Sequence, residues 1–264
     1  MATILQLDKV TKRFSGLTAV DNLSMQIEEK SIHALIGPNG SGKTTTLNLI
    51  DGVLKANSGT IAYNNETISQ LPTFKIAQKG IGRTFQNIKL FNSMSVVENV
   101  MVGGHFSTKM GLLNFVFNIS GANKEEKRLR EKAEAILNFI GLYGLKDELV
   151  KNLPYGRQKV LELGRTLMGD PRLILLDEPA AGLNPSERVE FISILNKVFD
   201  QRITLFLIEH NMDVVMNISH KITVLNFGAK IAEGSPKEIQ NNDEVIKAYL
   251  GEKFKIRKES LEVS

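Results

Sequence analysis

Three glycines, a lysine and two threonines follow one another closely in residues 37–45, GPNGSGKTT. Gly37, four further residues and then Gly42, Lys43 and Thr44 fit the spacing G-x4-G-K-[ST], in which backbone N–H groups surround phosphates, the lysine reaches the β/γ oxygens and the hydroxyl binds Mg²⁺. Glycine inside a regular element costs roughly 0.5–1 kcal/mol relative to alanine, so three of them indicate that something approaches the backbone closely. The pattern predicts a triphosphate nucleotide site, the alternative being a strand-to-helix turn with chance glycines.

The segments on either side suit a phosphate site. Ile32–Ile36 is a short apolar run typical of a strand, and Leu47, Ile50 and Leu54 recur at helical spacing. The phosphate would lie at a helix N-terminus, where unpaired N–H groups already point. We assign Lys43 to catalysis, Thr44 to the metal, and the whole loop to the nucleotide: Gly37, Pro38, Asn39, Gly40, Ser41, Gly42, Lys43, Thr44 and Thr45.

Two adjacent carboxylates, Asp177 and Glu178, end the apolar segment LILLDE. Carboxylates at the end of a buried strand are costly unless a cation or phosphate chemistry needs them. The phosphoryl-transfer pattern predicts that Asp177 holds Mg²⁺ through water and that Glu178 polarises the attacking water. A helix-capping acidic pair is the structural alternative. His210 ends a second apolar run, ITLFLIEH, from which it could reach the γ-phosphate, whereas an isolated histidine is usually an ordinary polar residue.

Composition excludes several other classes of chemistry. The 264 residues contain no cysteine, so disulfides, thiolate catalysis and Cys-based zinc sites are excluded. There are 33 Lys and Arg against 29 Asp and Glu, and an excess of 4 is too small by itself to indicate nucleic-acid binding. The N-terminal charges rule out a signal-peptide core there, and the apolar stretch Gly111–Ile119 is shorter than the roughly 18–20 residues that span a bilayer. We expect a soluble, cytoplasmic chain.

The patterns along the chain predict a single α/β domain. Short apolar segments separated by turns in the first third predict antiparallel strands flanking the nucleotide strand. Residues 87–168 are predicted to be mostly helical, with Gly141 as the C-terminal cap of an amphipathic helix whose apolar face is formed by Ala133, Ile136, Leu137 and Ile140. Apolar runs at Leu173–Leu176 and Ile203–Ile208 are typical of a parallel sheet covered on both faces.

The predicted fold is therefore a P-loop NTPase core of mainly parallel sheet with an N-terminal antiparallel β subdomain and a helical subdomain insertion. We place the core at about residues 1–86 and 169–251 and the helical subdomain at about 87–168. A charged tail, residues 252–264, follows and is expected to be frayed, with contact to lipid headgroups as the alternative.

Six features, in order, resemble the motif series of ABC transporter ATP-binding subunits over about residues 3–251: GPNGSGKTT, Gln86, LPYGRQ, LILLDE, GLNP and His210. Within that family, the segments IGRTFQNIKLFNSMSVVENVMVG, PAAGLNP and AYLGE look like the ATPases of branched-chain amino-acid importers. The resemblance implies that Phe14 stacks on adenine, although an isolated phenylalanine is also an ordinary core residue. It implies that Gln86 contacts Mg²⁺ or the lytic water, takes part in catalysis and connects the site to a membrane subunit.

The segment LPYGRQ, Leu153–Gln158, corresponds to the family signature, which closes over ATP bound to the opposite subunit of a head-to-tail dimer. The resemblance therefore assigns Tyr155, Gly156 and Arg157 to nucleotide binding. Pro154 stands where a serine usually donates to the γ-phosphate, Tyr155 replaces a glycine and Arg157 replaces a glutamine. The apolar face of the following KVLELGRTL still predicts a helix whose N-terminus is aimed at phosphate, with Arg157 adding charge.

Asn184 is a second departure, because many family members have aspartate there. Asn184, Pro185 and Glu187 also fit the N-cap, N1 and N3 positions of a capping box. Helix capping and a contact across the dimer both remain open.

The resemblance implies a subunit that binds and hydrolyses ATP to power a membrane importer, for branched-chain or other amino acids, by ATP-driven closure of a dimer. The implied cofactors are ATP and Mg²⁺. The implied partners are integral membrane permease subunits, a second ABC ATPase (a copy or a paralogue) and, indirectly, a solute-binding protein, at the inner face of the cell membrane and with no nucleic acid. The alternative is a soluble ABC-type ATPase acting on nucleic acid or the ribosome, which usually carries coiled-coil insertions, a tandem ATPase domain or a basic arm.

Overall fold

The computed structural model describes residues 2–104 and 119–249, and the strands in this part of the chain form two sheets. The strands are β1 (Thr3–Phe14), β2 (Leu17–Glu28), β3 (Ile32–Ile36), β4 (Ser58–Tyr63), β5 (Glu66–Thr67), β6 (Ile81–Arg83), β7 (Leu173–Asp177), β8 (Thr204–Ile208), β9 (Lys221–Asn226) and β10 (Ala229–Gly234). The stretch at residues 111–118 and the tail at 252–264, on which two of the predictions fall, lie outside the described residues.

The first sheet is antiparallel, in the order β2-β1-β4-β5, and buried and exposed residues alternate from Leu23 to Ile27 of β2. The second has the order β10-β9-β3-β8-β7-β6, in which β6, β7, β8, β3 and β9 are parallel neighbours and β10 is antiparallel to β9. The fold class is confirmed. The antiparallel strands predicted before and after the nucleotide strand in the chain are β1, β2 and β4, which pair with one another in a sheet of their own, while β3 pairs with β8 and β9.

Capping boxes start some of the helices, with Ser95, Asn184 and Ser235 as their N-caps. The helices are α1 (Lys43–Ile50), α2 (Thr73–Gln78), α3 (Val96–Val102), α4 (Ile119–Phe139), α5 (Tyr155–Leu167), α6 (Pro185–Asp200), α7 (Met212–Ile218) and α8 (Pro236–Gln240), with short 3-10 turns at Tyr143–Leu145 and Val150–Asn152. Residues 243–249 are also helical. Because α1 ends at Ile50, Leu54 lies beyond the helix that its spacing predicted.

The predicted amphipathic helix is α4. Ala133, Leu137 and Ile140 are buried, and Gly141 follows the helix with a positive φ of 78°. The N–H of Leu142 donates to the carbonyl of Leu137, and that of Gly141 to the carbonyl of Asn138. These two bonds form a Schellman motif, which confirms Gly141 as the cap.

Strand β3 lies between two apolar cores. Ile32, Ala34 and Ile36 belong to the core beneath α4 to α7, whereas Leu35 belongs to the core between the central sheet, α1 and the antiparallel sheet. Every residue of β3, β7 and β8 is buried, as the continuous apolar runs predicted. In the described residues, no helix is both long and apolar enough to cross a membrane.

Sheet register brings three loops to one edge. Leu35 of β3 lies opposite Ile208 of β8, and Asp177 of β7 lies opposite the same Ile208. The loops that follow β3, β7 and β8 therefore leave the sheet together at its carboxyl edge, where ligands bind in open parallel sheets.

Candidate nucleotide site

The loop after β3 is held tightly between β2 and β9. A Cβ added at Gly37 would lie 2.1 Å from the carbonyl oxygen of Leu225, and one added at Gly42 would lie 2.3 Å from that of Ala19. Gly42 is also the N-cap of α1 and has a φ of 100°. Glycine is therefore required at both positions by close backbone approach, quite apart from any ligand.

Lys43 begins α1 and folds back over this loop. Its side chain is buried, and its Nζ donates to the carbonyls of Gly37 at 2.8 Å and Pro38 at 2.9 Å. These bonds tie the side chain of Lys43 to two carbonyls of its own loop. The hydroxyl of Ser41 is buried there without a hydrogen-bond partner, and α1 receives no side-chain cap from Gly42. Unpaired polar groups at a helix N-terminus suit a bound anion.

Asp177 is the last residue of β7 and is 4% exposed. Its Oδ2 lies 3.1 Å from Nη2 of Arg83, the last residue of β6. Burial raises the pKa of the Asp177 carboxyl, and the charge of Arg83 opposes that rise. Arg83 was not among the site residues predicted from the sequence, although its place at the end of a strand, in RTFQ, is a usable signal.

Glu178 is contacted by two of the predicted site residues. Its Oε2 accepts a hydrogen bond from Nε2 of Gln86 at 2.8 Å, and its Oε1 lies 2.9 Å from Nε2 of His210. The structure thus brings together three side chains that are up to 124 residues apart in the sequence (210 − 86). Glu178 has a φ of 48°, and strained backbone of this kind costs about 1–3 kcal/mol and concentrates at functional sites.

Two buried charges that the sequence analysis missed support this cluster. Glu209 accepts from the N–H groups of Ala180 at 2.7 Å and His210 at 3.1 Å, so it joins the loops after β7 and β8. Lys159 of α5 donates to the carbonyl of Gln86 at 3.0 Å. Burial raises the pKa of Glu209 and lowers that of Lys159. The position of Glu209 beside His210, at a strand end, was its only signal.

The residues available for Mg²⁺ are oxygen donors. Thr44 lies exposed in the first turn of α1, and Asp177 ends β7 at the same sheet edge. In residues 2–104 and 119–249, no three acidic, histidine or cysteine side chains converge into a complete metal cage. Mg²⁺ usually binds through one or two carboxylates together with phosphates and water, so this donor set fits that ion.

The signature segment lies at the start of α5, with Pro154 as its N-cap. Tyr155 is 44% exposed and packs on the loop after β7, where a Cβ at Gly182 would lie 2.9 Å from its ring. Nη1 of Arg157 lies 2.8 Å from Oε1 of Glu190 on α6. The expected extra charge of Arg157 is therefore balanced by Glu190 in this structure.

Phe14 lies at the surface, at the end of β1. Its side chain is 42% exposed, and Nζ of Lys12 lies 5.0 Å from its ring centroid. The interpretation of Phe14 as a core residue is therefore wrong.

Asn184 is the N-cap of α6. Its Oδ1 accepts from the N–H of Glu187, and the carboxylate of Glu187 accepts from the N–H of Asn184, each at 3.0 Å. The capping box is confirmed.

A groove of about 840 Å³ runs between the α2–β6 segment and the helices α3 and α5. Three aromatic and three basic side chains are among the residues that line it: Phe74, Phe85, Phe91, Arg83, Lys89 and Arg165. Arg83 and Lys89 lie against the ring of Phe85, at 5.0 Å and 4.4 Å from its centroid. The groove thus adjoins the strand that leads to Gln86.

A glycine-rich loop at the end of β3 and an acidic pair at the end of β7 define a P-loop nucleotide hydrolase. Comparison with known families gives the particular class: the description "ABC transporter" matches residues 20–181, and "Branched-chain amino acid ATP-binding cassette transporter" matches residues 229–255.

Similar proteins and structures extend over nearly the whole chain. The high-affinity branched-chain amino acid transport ATP-binding protein BraF of Pseudomonas aeruginosa is 42% identical, with 94% of this chain and 98% of that protein covered. LivG of Escherichia coli K12, which bears the same description, is 39% identical, again with 94% of this chain and 98% of that protein covered. The crystal structure of the ADP conformation of MJ1267, an ATP-binding cassette of an ABC transporter, has a TM-score of 0.83 at 33% identity and covers 95% of this chain and 100% of that one.

The chain belongs to the ABC transporter family as an ATP-binding subunit, an ATPase whose hydrolysis of ATP is coupled to transport. The family prediction made from the motifs is confirmed.

Proposed function

We propose that this ATPase powers the import of branched-chain amino acids through membrane permease subunits. The catalytic part of this proposal rests on one observation. Gln86 contacts one carboxylate oxygen of Glu178 and His210 contacts the other, at the sheet edge where the phosphate loop lies. The cargo is inferred from the relatives, which are described as branched-chain amino acid transport proteins.

Each predicted site residue has a part in the proposed reaction. The loop Gly37–Thr45 and Lys43 bind the phosphates of ATP, and the exposed ring of Phe14 stacks on adenine. Thr44, Asp177 and Gln86 would hold Mg²⁺, which neutralises charge on the phosphates when bound. Glu178 orients and polarises the attacking water, and His210 contacts the γ-phosphate.

The contacts of Glu178 suggest a resting arrangement. Gln86 contacts one carboxylate oxygen of Glu178 and His210 contacts the other, and each oxygen keeps a further lone pair that can accept a hydrogen bond from water. Lys159 holds the carbonyl of Gln86, and Glu209 holds the N–H groups of Ala180 and His210, so the backbones on either side are fixed as well. The carboxylate is therefore already oriented in this structure.

The exposed signature supports a dimer of two ATPases. Tyr155 and Arg157 point out of the chain at the start of α5, where they can meet nucleotide bound to a second subunit, either a copy or a paralogue. Closure driven by ATP and reopening after hydrolysis would then do the mechanical work. We assign the groove lined by Phe74, Phe85 and Phe91 to a permease segment at the inner face of the membrane, because an apolar groove with a basic rim fits an amphipathic helix.

The test uses Glu178→Gln, which should retain ATP and so hold the closed assembly together. The tagged variant is recovered with ATP from its native membranes in mild detergent, and the co-purifying chains are identified by mass spectrometry. Polytopic permease subunits and a second ATPase are expected. Ribosomal or DNA-repair proteins without a membrane subunit would overturn the transporter proposal.

Cargo is tested separately by uptake of labelled leucine into cells that carry Glu178→Gln in place of the native gene. Uptake is expected to fall to background, while Glu66→Gln, an exposed glutamate on β5, leaves it unchanged. Normal leucine uptake by the Glu178→Gln cells would remove branched-chain amino acids as the cargo and leave the ATPase assignment intact.

A further inference from the structure

Arg83 occupies a buried position between two elements of the nucleotide site. Its side chain is 7% exposed, and it is the last residue of the edge strand β6, three residues before Gln86. Nη1 donates to Oδ1 of Asn48 at 2.8 Å and to Oδ2 of Asp51 at 3.1 Å, while Nη2 donates to Oδ2 of Asp177 at 3.1 Å. One guanidinium thus joins the C-terminal end of α1 to the end of β7.

The charge balance of this cluster makes Arg83 hard to replace. The side chains of Asp51 and Asp177 are each 6% exposed, and Arg83 lies between them. Removing one partner of a buried ion pair leaves an uncompensated charge, and here it would leave two carboxylates close together. Lysine is a single point charge and lacks the planar fork with which arginine donates in two directions.

The geometry connects this cluster to the metal-binding groups. Helix α1 carries Lys43 and Thr44 at its first turn and contacts Arg83 through Asn48 and Asp51 near its last. Arg83 donates to Asp177 through Oδ2 of the carboxylate. The guanidinium therefore determines where one predicted metal ligand, Asp177, lies relative to the helix that carries the other, Thr44.

We propose that Arg83 is a positioning residue for the Mg²⁺–nucleotide complex, because it fixes the Asp177 carboxylate relative to α1. This inference rests on the proposed roles of Thr44 and Asp177. In this proposal Arg83 acts through Asp177 and is not itself a ligand of the nucleotide or the metal. Outer partners of metal ligands typically change metal affinity by about 10-fold to 100-fold when they are removed.

The variants separate positioning from folding. Arg83→Met keeps the length of the side chain, and the double variant Arg83→Met with Asp51→Asn removes one of the two stranded charges so that the fold is retained. Asp51→Asn alone keeps the contact between Arg83 and Asp177. Arg172→Met is the matched control, since Arg172 is 59% exposed and pairs with Glu29.

The measurement is the affinity for ATP by calorimetry, in EDTA and in saturating Mg²⁺, with all variants made in the Glu178→Gln protein to prevent turnover. In the Arg83→Met, Asp51→Asn protein, we expect the gain in ATP affinity on adding Mg²⁺ to fall about 10-fold or more, with the affinity in EDTA changed less than about twofold. Asp51→Asn and Arg172→Met should keep the full increase in ATP affinity on adding Mg²⁺. Arg83→Lys should lose most of that increase.

Two results would overturn the proposal: an unchanged Mg²⁺ gain in the folded double variant, or full rescue by Arg83→Lys. An equal loss of affinity with and without Mg²⁺ would also overturn it, since that is the behaviour of a purely structural residue. If Mg²⁺ did not raise the ATP affinity of the parent protein, in which Arg83 is intact, the assignment of Thr44 and Asp177 as metal ligands would fail instead. Failure of the Arg83 proposal and failure of the metal site are therefore distinguishable.

Discussion

The phosphate loop and the signature segment are equally recognisable in the sequence but differ in how they are built. Lys43 is 6% exposed and hydrogen-bonded to carbonyls of its own loop, between two strands that approach the glycines closely. In the signature, Tyr155 is 44% exposed, and the Arg157–Glu190 pair lies at the surface, with side chains that are 38% and 51% exposed. The groups of the phosphate loop are held by contacts within one chain, whereas the signature presents its groups at the surface.

This difference predicts which substitutions act within one chain and which act between two chains. Substitutions in the phosphate loop and in the cluster around Glu178 should act on an isolated chain. Substitutions in the signature should act when two chains meet. Variants in the two regions test that distinction, and their expected effects decrease from Glu178→Gln to Arg157→Ala.

Glu178→Gln should have the largest effect. Loss of the group that polarises water typically costs about 10²-fold to 10⁴-fold in rate, and we expect phosphate release to fall by that factor while ATP binding persists. Steady-state ATPase assays and equilibrium binding measure both. Glu66→Gln serves as the control, and turnover near that of the wild type would remove Glu178 from its assigned place.

Lys43→Ala should lower ATP affinity by at least about 100-fold, because it removes both the cation facing the phosphates and the bonds that shape the loop. Fluorescent-nucleotide titration of the monomeric chain measures the loss. Lys79→Ala, on the surface beside α2, is the control. Unchanged affinity would contradict the phosphate-loop assignment.

His33, in the strand that leads to the phosphate loop, predicts a pH dependence of folding. Burial lowers its pKa from 6.5 to about 4, so the unfolded chain takes up a proton between these values while the native chain does not. Neutral His33 therefore makes its full contribution to the free energy of unfolding above pH 6.5. As the pH falls toward 4, the free energy of unfolding decreases by roughly 3 kcal/mol through this group.

His33→Gln removes this titration, so its urea-unfolding free energy should fall less than that of the wild type over the same pH interval. An identical slope in His33→Gln and the wild type would show that His33 is not protonated differently in the two states.

Substitutions of Asn184 distinguish capping from a contact between subunits. Asn184→Ala should destabilise the protein by about 1 kcal/mol through loss of the α6 cap, whereas Asn184→Asp keeps a capping side chain and should be close to the wild type. If Asn184→Asp preserves stability but changes ATP-driven dimer formation, the side chain also acts between subunits. Unchanged dimer formation would limit it to capping.

Arg157→Ala should have the smallest effect on the chain itself. An exposed ion pair contributes about 0–1 kcal/mol, so thermal unfolding should scarcely change. In the Glu178→Gln background, however, ATP-driven association should weaken, as measured by sedimentation. Glu190→Gln releases Arg157 from its partner and is the companion variant. A large loss of stability in Arg157→Ala would break the distinction between the two regions.

Local spacing was enough to predict much of the fold. The phosphate loop, the buried strands β3, β7 and β8, and the cap at Gly141 each follow from residues close together in the chain. The capping box at Asn184 follows in the same way. The helix predicted to reach Leu54 was wrong because helical spacing alone does not say where a helix ends.

The sequence by itself determined the class of chemistry, because glycine spacing, an adjacent lysine and a strand-ending acidic pair are local patterns with few other uses. Only the tertiary structure decided which distant charges support that chemistry. Arg83 and Asp177 are 94 residues apart, and Lys159 and Gln86 are 73 apart. No periodicity marks such pairs, since sheet order and burial bring them together and make each buried charge depend on its partner.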